Sequence, residues 1–293
     1  MAVPTAGPAD AVGPPELLVV GHVTLDQAGG QLRPGGAAYY AAWTGHRLGL
    51  RVALFTAHGP DFPVGALPAA TERRIVPAPA TTRFELGDGR TGRRLRLLAK
   101  APPLAPETLP VPWWQAPLVL LCPVAGELDP SWAGGFADAA LGLAAQGWLR
   151  AAGRDGRVRP RAWTEAGLLL PRAQLVVVSE EDVAAFPDAP ARWFQRVPLG
   201  AVTRGAAGAT LYVGGEPYHV VPDEAREQDA TGAGDVFTAT LLVQFQRGGD
   251  PWEAAAAAAC AAAASVEGPG AEAIPDEAGL AARLAAYRRR RGG

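Results

Sequence analysis

The stretch Asp229-Ala230-Thr231-Gly232-Ala233-Gly234-Asp235, running into the apolar-periodic residues 236–242, decides how the chain is read. Small residues just before a helix leave backbone N–H groups uncovered. Together with the positive end of the helix dipole, those groups make a site for an anion. A carboxylate at Asp235 is out of place beside such a site if it only repels the anion. It fits if it takes a proton from a hydroxyl while the amides of Gly232, Ala233 and Gly234 hold the charge building on a transferred phosphoryl group. Glycines and an aspartate also simply end a loop and cap a helix, and these residues alone leave both readings open.

Working outward, short Val- and Leu-rich runs alternate with longer helical patterns. Strands are predicted at 17–21, 52–56, 118–121, 175–178 and 201–203, and helices at 37–48, 135–141, 181–186, 234–246, 252–266 and 277–290. Strand, helix, strand implies right-handed crossovers, hence an α/β fold with a mostly parallel central sheet and helices on both faces. Such sheets bind ligands beyond the carboxyl ends of their strands. Residues 81–86 and 93–99, joined by Gly87-Asp88-Gly89, predict a β-hairpin lid within about 75–100. A second hairpin is predicted at 209–213 and 217–221, turned by Gly214-Gly215. The alanine block 254–264 reads as a buried, closely packed helix. Residues 1–15, rich in Pro, Gly and Ala, read as a disordered lead-in to one domain over 16–293.

Composition narrows the function class. A formal net charge of −2 gives no reason to expect a nucleic-acid partner or an anionic membrane. The start of the chain lacks the basic and apolar regions of a signal peptide, and no apolar stretch is long enough to span a bilayer, so a cytoplasmic protein is expected. Cys122 and Cys260 sit in separate apolar runs and read as small buried hydrophobes. Lys100, the only lysine, lies in the lid, which excludes a P-loop and the protein-kinase pattern. The four histidines are scattered without zinc spacing, and His22 reads as a local structural hydrogen-bonder.

The seven-residue stretch matches, position by position, the signature of the ribokinase-like (PfkB) carbohydrate kinases, and the resemblance runs in order from about Leu17 to the last helix. It implies a phosphotransferase in which Asp235 is the base and also touches the acceptor. Gly21 and Asp26 resemble the family's first strand end and its acceptor-binding acid. Gly35-Gly36 and the helix after them resemble its second signature. Thr203, Arg204, Gly205 and Gly208 look like its nucleotide-side strand end, with Thr231 beside the phosphates. The run through Ser265 and Gly268 is similar to its adenine wall. The resemblance further implies ATP as donor and Mg²⁺ placed through water by Asp182 and Asp229. The acceptor is a small sugar or polyol; a homodimer is left open.

Thr81-Thr82-x-Phe84, Pro123–Glu127, Gln146–Arg150 and Ser179–Asp182 resemble the myo-inositol-3-kinase-like branch, which implies contacts to a cyclitol from Phe84 and Gln146. A nucleoside or furanose acceptor and a non-catalytic metabolite-binding homologue are the alternatives. Three departures stand out. Tyr40 occupies a usual asparagine position among the acceptor contacts. Ser179-Glu180-Glu181-Asp182 replaces Asn-x-x-Glu, and Ala144-Ala145-Gln146 replaces an element that begins with an acid.

Overall fold

The computed structural model describes residues 13–89 and 92–291; most of the expected lead-in, 1–15, lies outside them. In chain order, β1 (Leu17–Val20), β2 (Thr24–Ala28) and β3 (Gln31–Gly35) precede α1 (Ala37–Arg47). Then come β4 (Val52–His58), β5 (Glu72–Pro77), β6 (Thr82–Gly89), β7 (Gly92–Ala99), β8 (Leu118–Leu121) and β9 (Ala140–Ala144). The ribbon β10 (Arg150–Ala152) and β11 (Val158–Pro160) leads to α2 (Ala166–Leu169), β12 (Leu175–Ser179), α3 (Glu180–Val183) and α4 (Ala189–Phe194). The chain closes with β13 (Leu199–Thr203), β14 (Ala209–Val213), β15 (Glu216–Val220), α5 (Ala233–Gly248), α6 (Pro251–Ser265) and α7 (Glu277–Arg291).

Nine strands form the central sheet in the order β15-β14-β13-β12-β9-β8-β1-β4-β5. It is parallel from β13 to β5, and its inner strands are the Val/Leu runs that burial on both faces demands. The chain winds one way from β1 through β4 to β5 and the other way from β8 to β13. The strand order therefore reverses between β1 and β8, and the crevice opens above that point.

One face carries α1, α5, α6 and α7 over an aliphatic core. The alanines of α6 are almost all buried, so α5 and α6 approach closely. Pro251 opens α6 behind Asp250, whose carboxylate accepts the N–H groups of Trp252 and Glu253. The opposite face is closed by short helices and 3₁₀ turns around Trp113, Trp132, Trp148 and Trp163. Prolines recur through 102–130 and cut that covering into single turns.

Two expectations are corrected. Residues 135–141 were expected to be helical, yet Ala140–Ala144 is a strand locked between β8 and β12. A Cβ on Gly142 would lie 2.9 Å from Leu120 and 3.0 Å from Leu242, so those leucines occupy its space. Sheet pairing overrides the helical preference of its alanines here. Gly87-Asp88-Gly89 continues β6 instead of turning, and the turn at 90–91 lies outside the described residues. The lid itself is a four-stranded sheet, β3-β2-β6-β7, whose β2–β3 hairpin turns at Gly29-Gly30 with positive φ (55° and 80°). The Gly214-Gly215 hairpin forms as predicted, between β14 and β15.

A buried carboxylate ties the loops at the switch point. Glu127, 1% exposed, accepts the N–H groups of His22 (3.0 Å), Val124 (3.0 Å) and Ala125 (2.8 Å). His22 is also buried. Its Nε2–H donates to Pro102 O (2.9 Å), which leaves Nδ1 to accept from Thr82 Oγ1 (2.8 Å), so it anchors the root of the lid. Glu127→Ala strands those buried donors and is expected to cost about 3 to 5 kcal/mol, read as a lowered urea midpoint. Glu127→Gln keeps one acceptor and should fall between that variant and the wild type.

Candidate active site

Above the switch point lies a cavity of about 660 Å³. One wall is the turn before α5. Gly232 caps that helix in the left-handed region (φ 81°), and a Cβ there would lie 2.5 Å from the Tyr40 ring. Only glycine allows the turn both its conformation and its seat on Tyr40. Asp229 Oδ1 accepts the Thr231 N–H (2.9 Å), and Asp229 Oδ2 accepts the Gly270 N–H (3.3 Å). The Ala233 N–H makes a long turn bond to Ala230 O (3.4 Å), and Asp235 N–H turns back to Gly232 O. Among the described residues, the N–H groups of Gly232 and Gly234 have no protein acceptor, and both glycines line the cavity. That pair of donors at a helix N-terminus suits an anion.

Asp235 lies in the first turn of α5 and borders the same space. Desolvation pushes its carboxyl up to about 7; Arg150 opposes the shift, while Asp182 and Asp26 add to it. Gln146 Nε2 donates to Asp235 Oδ1 (3.3 Å), which sets the direction of the acid group. Tyr40, 2% exposed, is surrounded by Asp229, Asp235 and Asp26; burial first, then those charges, hold its phenol well above the usual range. It stays neutral at any working pH.

On the lid side, Asp26 of β2 accepts the Thr24 hydroxyl (2.9 Å) and borders the cavity with Gly36, Tyr40, Phe84 and Gln146. Gly35 stands behind Asp26: a Cβ there would be 2.4 Å from Asp26 Oδ2. Phe84, Leu86 and Leu95 turn an apolar lid surface toward the opening. On the other side, Thr203, Gly205 and Thr231 line the cavity, whereas Gly208, Ser265 and Gly268 do not. Gly208 tightens a turn against Val220, and Ser265 is buried with its hydroxyl on Ala262 O (2.8 Å). Arg204 pairs with Glu180 at 3.5 Å.

The acidic residues divide their work in a way the sequence did not reveal. Asp182 is buried; its Oδ1 takes Arg150 Nη2 (2.7 Å) and Nε (2.9 Å), and its Oδ2 takes the Ser179 hydroxyl (2.6 Å) in a capping box. Glu181, exposed and on the cavity wall, is the carboxylate of that segment open to a bound cation. Among the described residues no group of three His, Cys, Asp or Glu side chains is arranged to hold a metal alone. Arg150 was missed as a site residue, although the Gln146–Arg150 run containing it was noticed. Its importance comes from Asp182, far along the chain.

A family model for pfkB family carbohydrate kinases matches residues 137–278. No curated protein matches the sequence. Among solved structures, the chain is similar to one described by the conversion of a pyrophosphate-dependent myo-inositol-1 kinase into a myo-inositol-3 kinase by two substitutions to leucine. That match has a TM-score of 0.77 at 19% identity, covering 93% of this chain and 99% of the other. A pyrophosphate-dependent kinase in the ribokinase family, complexed with a pyrophosphate analogue and myo-inositol, matches with a TM-score of 0.73 at 20% identity, covering 87% and 96%. Arabidopsis thaliana ribokinase complexed with ribose and ATP matches with a TM-score of 0.67 at 20% identity, covering 92% and 99%. These likenesses establish the fold. No helix among the described residues is long and apolar enough to cross a membrane.

The raised Asp235 carboxyl has a consequence for stability. The folded chain keeps this proton up to about pH 7, while the unfolded chain loses it near the ordinary aspartate value of 3.8. Stability from this group therefore falls as pH rises through that window, and the full penalty is present above pH 7. Asp235→Asn is expected to raise Tm over the wild type at pH 8, with the difference shrinking toward pH 4. A difference independent of pH would contradict the assignment.

Proposed function

We propose that the chain, whose residues 137–278 match the pfkB carbohydrate kinase model and whose fold is that of ribokinase-family kinases, is a phosphotransferase that moves the γ-phosphoryl group of ATP to a hydroxyl of a cyclitol such as myo-inositol. The observation that carries the reaction is Asp235, its acidity weakened by burial, beside the unspent amides of Gly232 and Gly234. Asp235 takes the proton from the acceptor hydroxyl. That oxygen forms a bond to the terminal phosphorus as the bond to the leaving phosphate oxygen breaks. The two amides and the α5 dipole hold the equatorial charge, so the turn supplies electrostatic stabilisation already in place before reaction.

Gln146 orients the base, and Arg150 offsets the crowding of Asp26, Asp182 and Asp235. Asp26, backed by Gly35 and Gly36, faces the acceptor hydroxyls. Phe84, Leu86 and Leu95 offer an apolar surface to the C–H face of a ring. Mg²⁺ would neutralise the donor phosphates. Glu181 is open to it through water, and Asp182 and Asp229, both already holding protein donors, would stand behind that water. A nucleoside or furanose is the alternative acceptor. Pyrophosphate is a second reading for the donor, favoured because Gly208, Ser265 and Gly268 stay outside a cavity that reaches the phosphate-facing turn.

A panel of acceptors with ATP or pyrophosphate, followed by phosphorus NMR, tests both choices. Turnover by the wild type is expected to rise with pH to a plateau above about 7, as the base loses its proton. Asp235→Asn should retain the fold and donor binding and lose at least about 10²-fold in kcat. An unchanged kcat would remove Asp235 from the mechanism. Gly232→Ala, which drives a methyl into Tyr40, should lower kcat even where folding is recovered.

A further inference from the structure

A second cavity, of about 370 Å³, adjoins the main one and is lined by none of the residues of the turn before α5. It opens between the base of the lid, the loop at Val124–Gly126 and the β10–β11 ribbon. It shares Phe84, Val124, Arg150 and Val158 with the main cavity, so the two are neighbours across a wall of four side chains. Its lining contains three cations, Lys100, Arg150 and Arg161, and no carboxylate; the rest is apolar or small. The main cavity has the opposite character, with Asp26, Glu181, Asp182 and Asp235 against Arg150 and Arg159.

The charges can be followed one by one. Arg150 is neutralised by Asp182 (2.7 Å), and Arg161 by Glu165. Lys100 makes no ion pair among the described residues and is exposed, so the cavity keeps about one unit of positive charge. Gly126 adds no side chain to the wall: a Cβ there would meet nothing within 4 Å. A neutral ring in the main cavity has no use for such a surface, whereas an anionic group projecting past Phe84 and Val124 would meet Lys100 with Arg150 and Arg161 beside it. Charge-assisted hydrogen bonds to a phosphate or carboxylate are the interactions this set of donors makes well.

We propose that the Lys100–Arg161 cavity is a subsite for an anionic substituent on the acceptor, so that the preferred acceptor is a phosphate ester or acid derivative of a polyol. This rests on the kinase reading only for the identity of the ring; the subsite can be tested by binding alone. Full-length Asp235→Asn protein, which cannot consume the ligand, is titrated calorimetrically with myo-inositol and its monophosphate esters, and with glucose and glucuronate. The esters or the acid are expected to bind at least about tenfold tighter than their neutral parents, the gain of one charge-assisted contact. Which pair shows the gain distinguishes phosphate from carboxylate. Adding Lys100→Glu should remove the gain and leave neutral ligands unchanged. Arg161→Ala should reduce it, a second check if the first variant folds poorly. Equal binding of charged and neutral ligands, no binding of any charged ligand, or a preference that survives Lys100→Glu would overturn the subsite. Tight, Lys100-dependent ester binding without turnover by the wild type would support the subsite and sink the kinase reading instead.

Discussion

The contact between Gly232 and the ring of Tyr40 governs the geometry of the site. It joins the turn before α5 to α1, two elements nearly two hundred residues apart in sequence, at a distance that excludes any side chain. Because the turn is seated on a rigid ring, its amides face the cavity before any ligand arrives. Transition-state charge is best held by dipoles that need no reorganisation, and a buried aromatic platform is an economical way to fix them. Tyr40, buried beneath the turn, thus serves as its support from below.

The electrostatics follow from the same crowding. The carboxylates of Asp26 and Asp182 bear on Asp235, and the guanidinium of Arg150 is their counterweight. Asp182 spends its charge on that guanidinium and on capping α3. Asp235 is left as the acid whose protonation changes near neutrality. In the proposed reaction, a carboxyl group near 7 is better matched to a hydroxyl proton than an ordinary aspartate would be.

Much of this was legible in the sequence where local patterns and tertiary structure agree. The Asp229–Asp235 stretch, the inner strands and the helices behind them follow from periodicity and small-residue spacing. Reading failed where partners are remote. Ala140–Ala144 suits a helix by composition, and only its neighbours β8 and β12 make it a strand. The β2–β3 half of the lid carries a signal in Gly29-Gly30, a dipeptide made for a tight hairpin, but its strands show no apolar alternation, because burial grades from the root at Thr24 and Gly35 to the exposed turn. Arg150 and Glu181 acquire their places through contacts no spacing rule encodes. Asp182, expected from the sequence to help place Mg²⁺, is instead engaged by protein donors, Arg150 and Ser179.

The lid is built from two separate excursions of the chain, β2–β3 between β1 and α1, and β6–β7 between β5 and β8. Four tethers therefore stitch it to the main sheet, in contrast to the pair that would suspend an inserted flap. Because Asp26 lies on β2 and Phe84 on β6, paired strands of that one sheet, any movement of the lid carries both with it. In the proposed reaction, shielding from water and alignment of the acceptor would thus be mechanically one event, and departure of product would undo both together.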